Sequence, residues 1–155
     1  PCLRGVAIDS NGNLWVADFA GVSGGQVYEL TPTAGSFASA TPTAVGTGWV
    51  DPWAITADKS GNVFVTDYTP NTITEITGGI ATVVNTGGVS APRGIAVDAS
   101  GNLFAVDGTS SQVMELVAPA YTIVNIVSPG FQGPVDLAFE EAMGELDLVK
   151  DGEDA

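Results

Sequence analysis

The sequence predicts an all-β chain of β-propeller blades, each of four antiparallel strands, in an incomplete ring of three blades and a degenerate fourth. Two observations carry this expectation. Three segments align without a gap: LRGVAIDSNGNLWVAD from Leu3, PWAITADKSGNVFVTD from Pro52 and PRGIAVDASGNLFAVD from Pro92. Their equivalent aspartates Asp9, Asp58 and Asp98 stand 49 and then 40 residues apart, the length of one propeller blade. The composition agrees, with 20 Gly and 9 Pro in 155 residues and only 14% charged side chains, as many short strands joined by tight turns require.

Each segment reads as a short apolar strand, a turn Asp-x-x-Gly-Asn, and a second strand apolar at nearly every position. The Asp side chain can accept bonds from the turn backbone, and Gly12, Gly61 and Gly101 can take positive φ. A strand apolar on both faces suits a place between neighbouring blades: Leu14 and Val16 point one way, Trp15 and Ala17 the other, and Phe64 and Phe104 repeat Trp15. A third strand recurs as QVYEL from Gln26, TITEI from Thr72 and QVMEL from Gln112. A weaker fourth is expected near Thr43 to Val45, Ala81 to Val84 and Thr122 to Val127, at the blade edge where variation is tolerated. The blades then run over 3–51, 52–91 and 92–133, with a partial unit over 134–155. In that last unit PVDLAF begins like a first strand, but EEAMGELDLVKD replaces the turn; EEAM suits a helical turn, and the unit reads as a cap or a divergent blade.

These units resemble NHL-repeat propellers, whose repeat runs Pro-x-Gly-Ile-Ala-Val-Asp, a short turn, then Gly-Asn-Leu-apolar-Val-x-Asp; the third repeat is close to that pattern. The resemblance covers roughly residues 3 to 139. It implies a six-bladed ring and a menu of functions: peptide, protein and RNA binding, with lactonases and lyases among related six-bladed propellers. An incomplete ring leaves apolar blade faces open, so the remaining blades are expected from a longer chain, from further copies or from other subunits. The absence of an initiator Met before Pro1 favours the longer chain.

Charge narrows the partners. With 4 basic and 18 acidic residues the net charge of −14 repels phosphate backbones and anionic lipid, so a nucleic-acid partner and membrane insertion are not expected. The absence of histidine leaves any chemistry to carboxylates, amides and hydroxyls, and no cofactor or metal is expected. A faint calcium-loop pattern at DLVKDG, from Asp147, fails because Val149 stands where an oxygen ligand belongs. The lone Cys2 has no internal partner. Low lysine and low pI lean towards an exported or surface protein.

Arg4, Trp53, Arg93 and Val135 fill one slot, immediately before the innermost strand of successive blades. Equivalent slots form a ring near the channel mouth, so two of the four cations would meet beside an indole, an arrangement suited to a protein partner or a small anionic ligand. The plainer alternative is that each Arg pairs with a carboxylate and Trp53 packs under a loop. Trp49 and Tyr68 could add an aromatic lip, or could simply pack between blades. The recurring Asp9, Asp58 and Asp98, Asp18, Asp67 and Asp107, and Glu29, Glu75 and Glu115 are expected to be structural, because a catalytic group is needed once and a turn-closing group in every blade. No catalytic residue is assigned. The expected function is a non-enzymatic recognition or scaffold module; the alternatives are a propeller hydrolase or lyase, or an assembly subunit whose open blade faces are its interfaces.

Overall fold

The structure is a computed structural model and describes residues 2–21, 24–86, 88–127, 133–140 and 145–150. Three four-stranded antiparallel sheets follow one another along the chain. The first holds β1 (Cys2–Ile8), β2 (Leu14–Phe19), β3 (Gly25–Leu30) and β4 (Thr43–Val45) in sequence order. The second holds β5 (Pro52–Ala57), β6 (Val63–Asp67), β7 (Thr72–Thr77) and β8 (Ile80–Thr86). The third holds β9 (Ile95–Val97), β10 (Leu103–Asp107), β11 (Gln112–Val117) and β12 (Thr122–Ile126). A two-stranded hairpin, β13 (Pro134–Glu140) with β14 (Glu145–Lys150), opens a fourth unit. These meander sheets are propeller blades.

The repeated turn works as its composition suggests. In all three blades the Asp Oδ1 accepts the backbone N–H groups two and four residues on, and Oδ2 accepts the side-chain amide of the following Asn, at 2.8 to 3.0 Å. The glycine of each turn sits at φ between 82 and 86°. Burial pushes the Asp9 carboxyl up, but hydrogen bonds from Trp15, Asn13 and Asn11 outweigh it and hold the group below its ordinary value. A second clamp also recurs. Asp18 accepts the N–H of Cys2, Asp67 those of Val50 and Asp51, and Asp107 that of Ser90, so each second strand pins the segment entering its own blade.

Blades pack face to face through separate apolar layers. Trp15, Val27, Val45 and Trp49 of the first meet Ile55, Val63, Val65 and Ile76 of the second. Phe64 and Ile73 of the second meet Ile95, Leu103, Leu116 and Tyr121 of the third. Ala96, Val106 and Val113 of the third meet Leu137 of the hairpin. Phe104, expected to repeat Trp15, is only half-buried on this last layer. The outer face of the first blade is open, with Val6 and Ile8 of β1 63% and 55% exposed.

The innermost strands β1, β5, β9 and β13 lie side by side around a channel of about 410 Å³. Their close approach explains the small residue after the slot position: a Cβ on Gly5 would lie 3.0 Å from Ala54 Cα, and one on Gly94 would collide with the Asp136 backbone. In the last unit Glu140 ends strand β13 and Asp147 to Lys150 lie in β14, so the described parts of the expected helical turn and of the faint calcium-loop pattern are strand. Residues 141–143 and 151–152, over which those two readings also ran, fall outside the described residues.

Candidate functional site at the channel mouth

A β-bulge recurs where each innermost strand begins. Leu3 pairs with Asp18 and Gly5 with Ala17, so Arg4 is the extra residue in β1. The same slip occurs between Pro52 and Ile55, around Trp53, and between Pro134 and Asp136, at Val135. In the third blade regular pairing starts only at Ile95, and Arg93 and Gly94 reach Val106 through two separate backbone bonds. A bulge breaks the in–out alternation of a strand and re-aims one side chain. Here it turns the slot residues to the rim, where Arg4, Trp53 and Val135 line one cavity of about 350 Å³ with Asp136.

Around Trp53 the rings and cations converge. The Arg4 guanidinium lies 4.0 Å from the indole centroid and 5.3 Å from the Phe19 ring. Arg93 lies 5.6 Å from the indole and 5.9 Å from the Tyr68 ring. Tyr68 stacks on Trp53 at 5.1 Å with a 30° interplanar angle. Such cation–ring contacts contribute about 0.5 to 1 kcal/mol at exposed sites. Among the described residues neither guanidinium is bonded to a carboxylate, and the buried Arg93 Nε has no hydrogen-bond partner. The pairing of each Arg with a neighbouring acid, one of the two sequence readings, is therefore not what these residues do.

Thr66 fixes this cluster from below. Its buried hydroxyl accepts the Ala54 N–H at 3.0 Å and donates to the Arg93 carbonyl at 2.7 Å, tying the second blade's inner strand to the third blade's slot residue. Gly108 lies against the Ala91 carbonyl, which a Cβ there would meet at 2.5 Å, with Arg93 Nε next at 3.1 Å. Phe19, Tyr68 and Gly108 are equivalent positions, each following the second-strand Asp, so the third blade carries a glycine where the first two carry an aromatic ring.

Trp49 does not join this rim. It is 7% exposed, packs in the layer between the first two blades, and donates its indole N–H to the Val45 carbonyl at 2.9 Å. The ring closes the gap between two sheets and borders two cavities, one of them shared with Phe19 and Asp51.

Three residues that sequence reasoning passed over belong to this face: Phe19, Thr66 and Asp51. Asp51 is 8% exposed, and its Oδ1 has no hydrogen-bond partner. Burial raises its pKa, opposed by the nearby Arg4 charge. Asp67 beneath it is raised by burial as well, with the Asp51 charge adding to the shift against the two backbone N–H groups it accepts. A signal existed for Asp51, since the equivalent positions in the other blades are Cys2 and Ala91 and the acid occurs once.

No protein-family model matches the sequence, and no curated protein does. Solved structures do. A chain of the nidogen/laminin complex superposes with a TM-score of 0.76 at 22% identity over 96% of this chain. Virginiamycin B lyase from Staphylococcus aureus gives 0.69 at 15% identity over 98%, and a streptogramin B lyase 0.71 at 16% over 99%. At these identities the likeness shows the β-propeller fold. This chain spans 56% of each of those three chains.

Proposed function

We propose that this chain is part of an NHL-type propeller that recognises a partner without catalysis, holding an anionic group of a protein or small ligand between Arg4 and Arg93 on the Trp53 ring. The observation that carries this reading is that the bulges present two guanidinium groups on one aromatic ledge with no carboxylate partner among the described residues. In a chain of net charge −14, cations left unpaired beside a cavity are a local exception to the field around them. The third repeat and its Gly-Asn turn support the NHL assignment. The open apolar face of the first blade, and the 56% coverage of each superposed propeller, support completion of the ring by further blades from a longer chain or other subunits. Acidic, lysine-poor composition supports a place outside the cell.

A histidine-to-alanine form of virginiamycin B lyase is catalytically inactive, and these 155 residues, which span 57% of that chain, contain no histidine, so lyase chemistry of that kind would need a group from the further blades. The test is binding of synthetic peptides that carry Asp or Glu among neutral residues, measured beside their Asn and Gln counterparts. Carboxylate peptides bind at least about tenfold more tightly, and the double variant Arg4→Glu, Arg93→Glu loses that preference while its Tm stays within a few degrees. Equal binding of the amide peptides, or an unchanged preference in the double variant, removes the site.

A further inference from the structure

A second cavity, of about 430 Å³, lies on the same face between the first two blades and is walled by Phe19, Gly24, Trp49, Val50, Asp51 and Thr69. We infer that this cavity binds a primary ammonium group on an apolar stem, such as a lysine side chain, with Asp51 as its counter-ion and Phe19 and Trp49 packing along the stem.

The chemistry begins with an unmet demand. Asp51 is more than nine-tenths buried, and its Oδ1 has no partner, although a carboxylate out of water needs a donor or a cation on each oxygen. Its neighbour Asp67 supplies no donor, since both of its oxygens act as acceptors, of the Val50 and Asp51 backbone N–H groups. The charges close at hand are two carboxylates, Asp51 and Asp67, against one guanidinium, Arg4. Arg4 stays over Trp53 and Phe19 instead of bonding Asp51, so the cavity is left one positive charge short. A compact ammonium supplies that charge and up to three donors, and the ring of Phe19 offers it a π face. The rest of the wall is apolar, which suits the methylene stem that lysine buries while it holds its charge at one end. Glycine at 24 is in the left-handed region, φ 84°, and leaves the cavity rim without a side chain.

This inference does not rest on the anion site at Trp53, although Arg4 acts on both; Arg93→Glu alone, away from Asp51, reports on the anion site, and Asp51→Asn on this one. The experiment is a titration of the protein with pentylammonium and with pentanol, followed by the backbone amide NMR signals of Gly24, Val50 and Asp51. Saturable shifts at these amides are expected with pentylammonium, at least about tenfold weaker with pentanol, and lost in Asp51→Asn, an isosteric change whose folding is checked by circular dichroism. Phe19→Ala, in the wall and away from the carboxylate, weakens pentylammonium by several-fold. Pentanol binding as well as the amine, or binding unchanged in Asp51→Asn, overturns the inference. A lysine side chain and a free diamine share this chemistry. Tighter binding of N-acetyl-lysine methylamide than of 1,5-diaminopentane identifies a partner's lysine, and the reverse order identifies a free polyamine.

Discussion

Replacing Phe64 by alanine tests the blade architecture at its most demanding point. The ring is fully buried between the second and third blades and meets Tyr121 edge to face, with centroids 5.6 Å apart and planes at 67°. Full burial of such a side chain stabilises by roughly 3 kcal/mol, and a cavity that does not collapse adds about 24 cal/mol for each Å³ left empty. Collapse is hindered here because the walls are strands of two different sheets, each fixed by its own ladder. A loss of about 3 to 5 kcal/mol follows, which for a domain of this size lowers Tm by on the order of 10 °C and the urea midpoint by about 2 M. Phe104→Ala is the control, because that ring is half-buried and loses about 1 to 2 kcal/mol. Urea denaturation of both variants and the parent measures the difference. A loss under about 1 kcal/mol at Phe64, or equal losses at the two sites, refutes the packing of the second blade on the third through this face.

Three other measurements bear on the site and its support. Thr66→Val keeps the shape but strands the Ala54 N–H and the Arg93 carbonyl, so it destabilises by about 1 to 3 kcal/mol and weakens the anion site with it; a stability loss with carboxylate-peptide binding intact would separate Thr66 from the positioning of Arg93. Tyr121, pushed up to about 12 by burial and by Glu75, remains protonated in the fold where the unfolded chain ionises near 10, so stability falls as pH rises from about 10 to 12 and ultraviolet titration shows a late phenol that Tyr121→Phe removes. Burial of Asp51 penalises its ionised form in the fold, a penalty complete above its raised pKa and fading as pH falls towards 3.8, so Asp51→Asn stabilises by about 1 kcal/mol at neutral pH and by less in acid; an equal or larger gain in acid contradicts the assignment.

The strand order was legible because the repeat and the strand period carry it. A twofold alternation, an Asp-x-x-Gly-Asn turn and the blade-length spacing of Asp9, Asp58 and Asp98 leave few other ways to pair β1 with β2, or β5 with β6. Register also places Arg4, Trp53 and Arg93 in equivalent slots. What the alternation does not contain is the bulge, an extra residue invisible in an apolar–polar pattern, and it is the bulge that turns these side chains to the rim. Trp49 was hard to place for a related reason. Its long connecting loop reads as surface, but the indole turns inward over Val45 and closes a gap between two sheets. Thr66 is hidden in an apolar strand, VFVTD, where its hydroxyl reads as a tolerated substitution and its two partners come from other strands, one of them in the next blade.

Recurrence and satisfaction largely run together among the described residues, where the buried polar atoms without a partner are on Asp51, Asn85 and Arg93. Asp9, Asp58 and Asp98 spend both oxygens on their own turns, and Asp67 spends both on the segment it clamps. Asp51 differs on both counts and Arg93, which Arg4 matches in the first blade, on the second. Asp51 has no acidic counterpart in the other blades, Arg93 sits against a Gly108 where the first two blades carry a ring, and each holds a buried polar atom without a partner. An unmet buried donor or acceptor destabilises by about 1 to 3 kcal/mol. The proposed recognition of two opposite charges draws on two such groups, Asp51 in the wall of one cavity and Arg93 beside the Trp53 ring. It also predicts that neutralising either group trades binding for stability, a coupling that a merely solvated surface charge would not show.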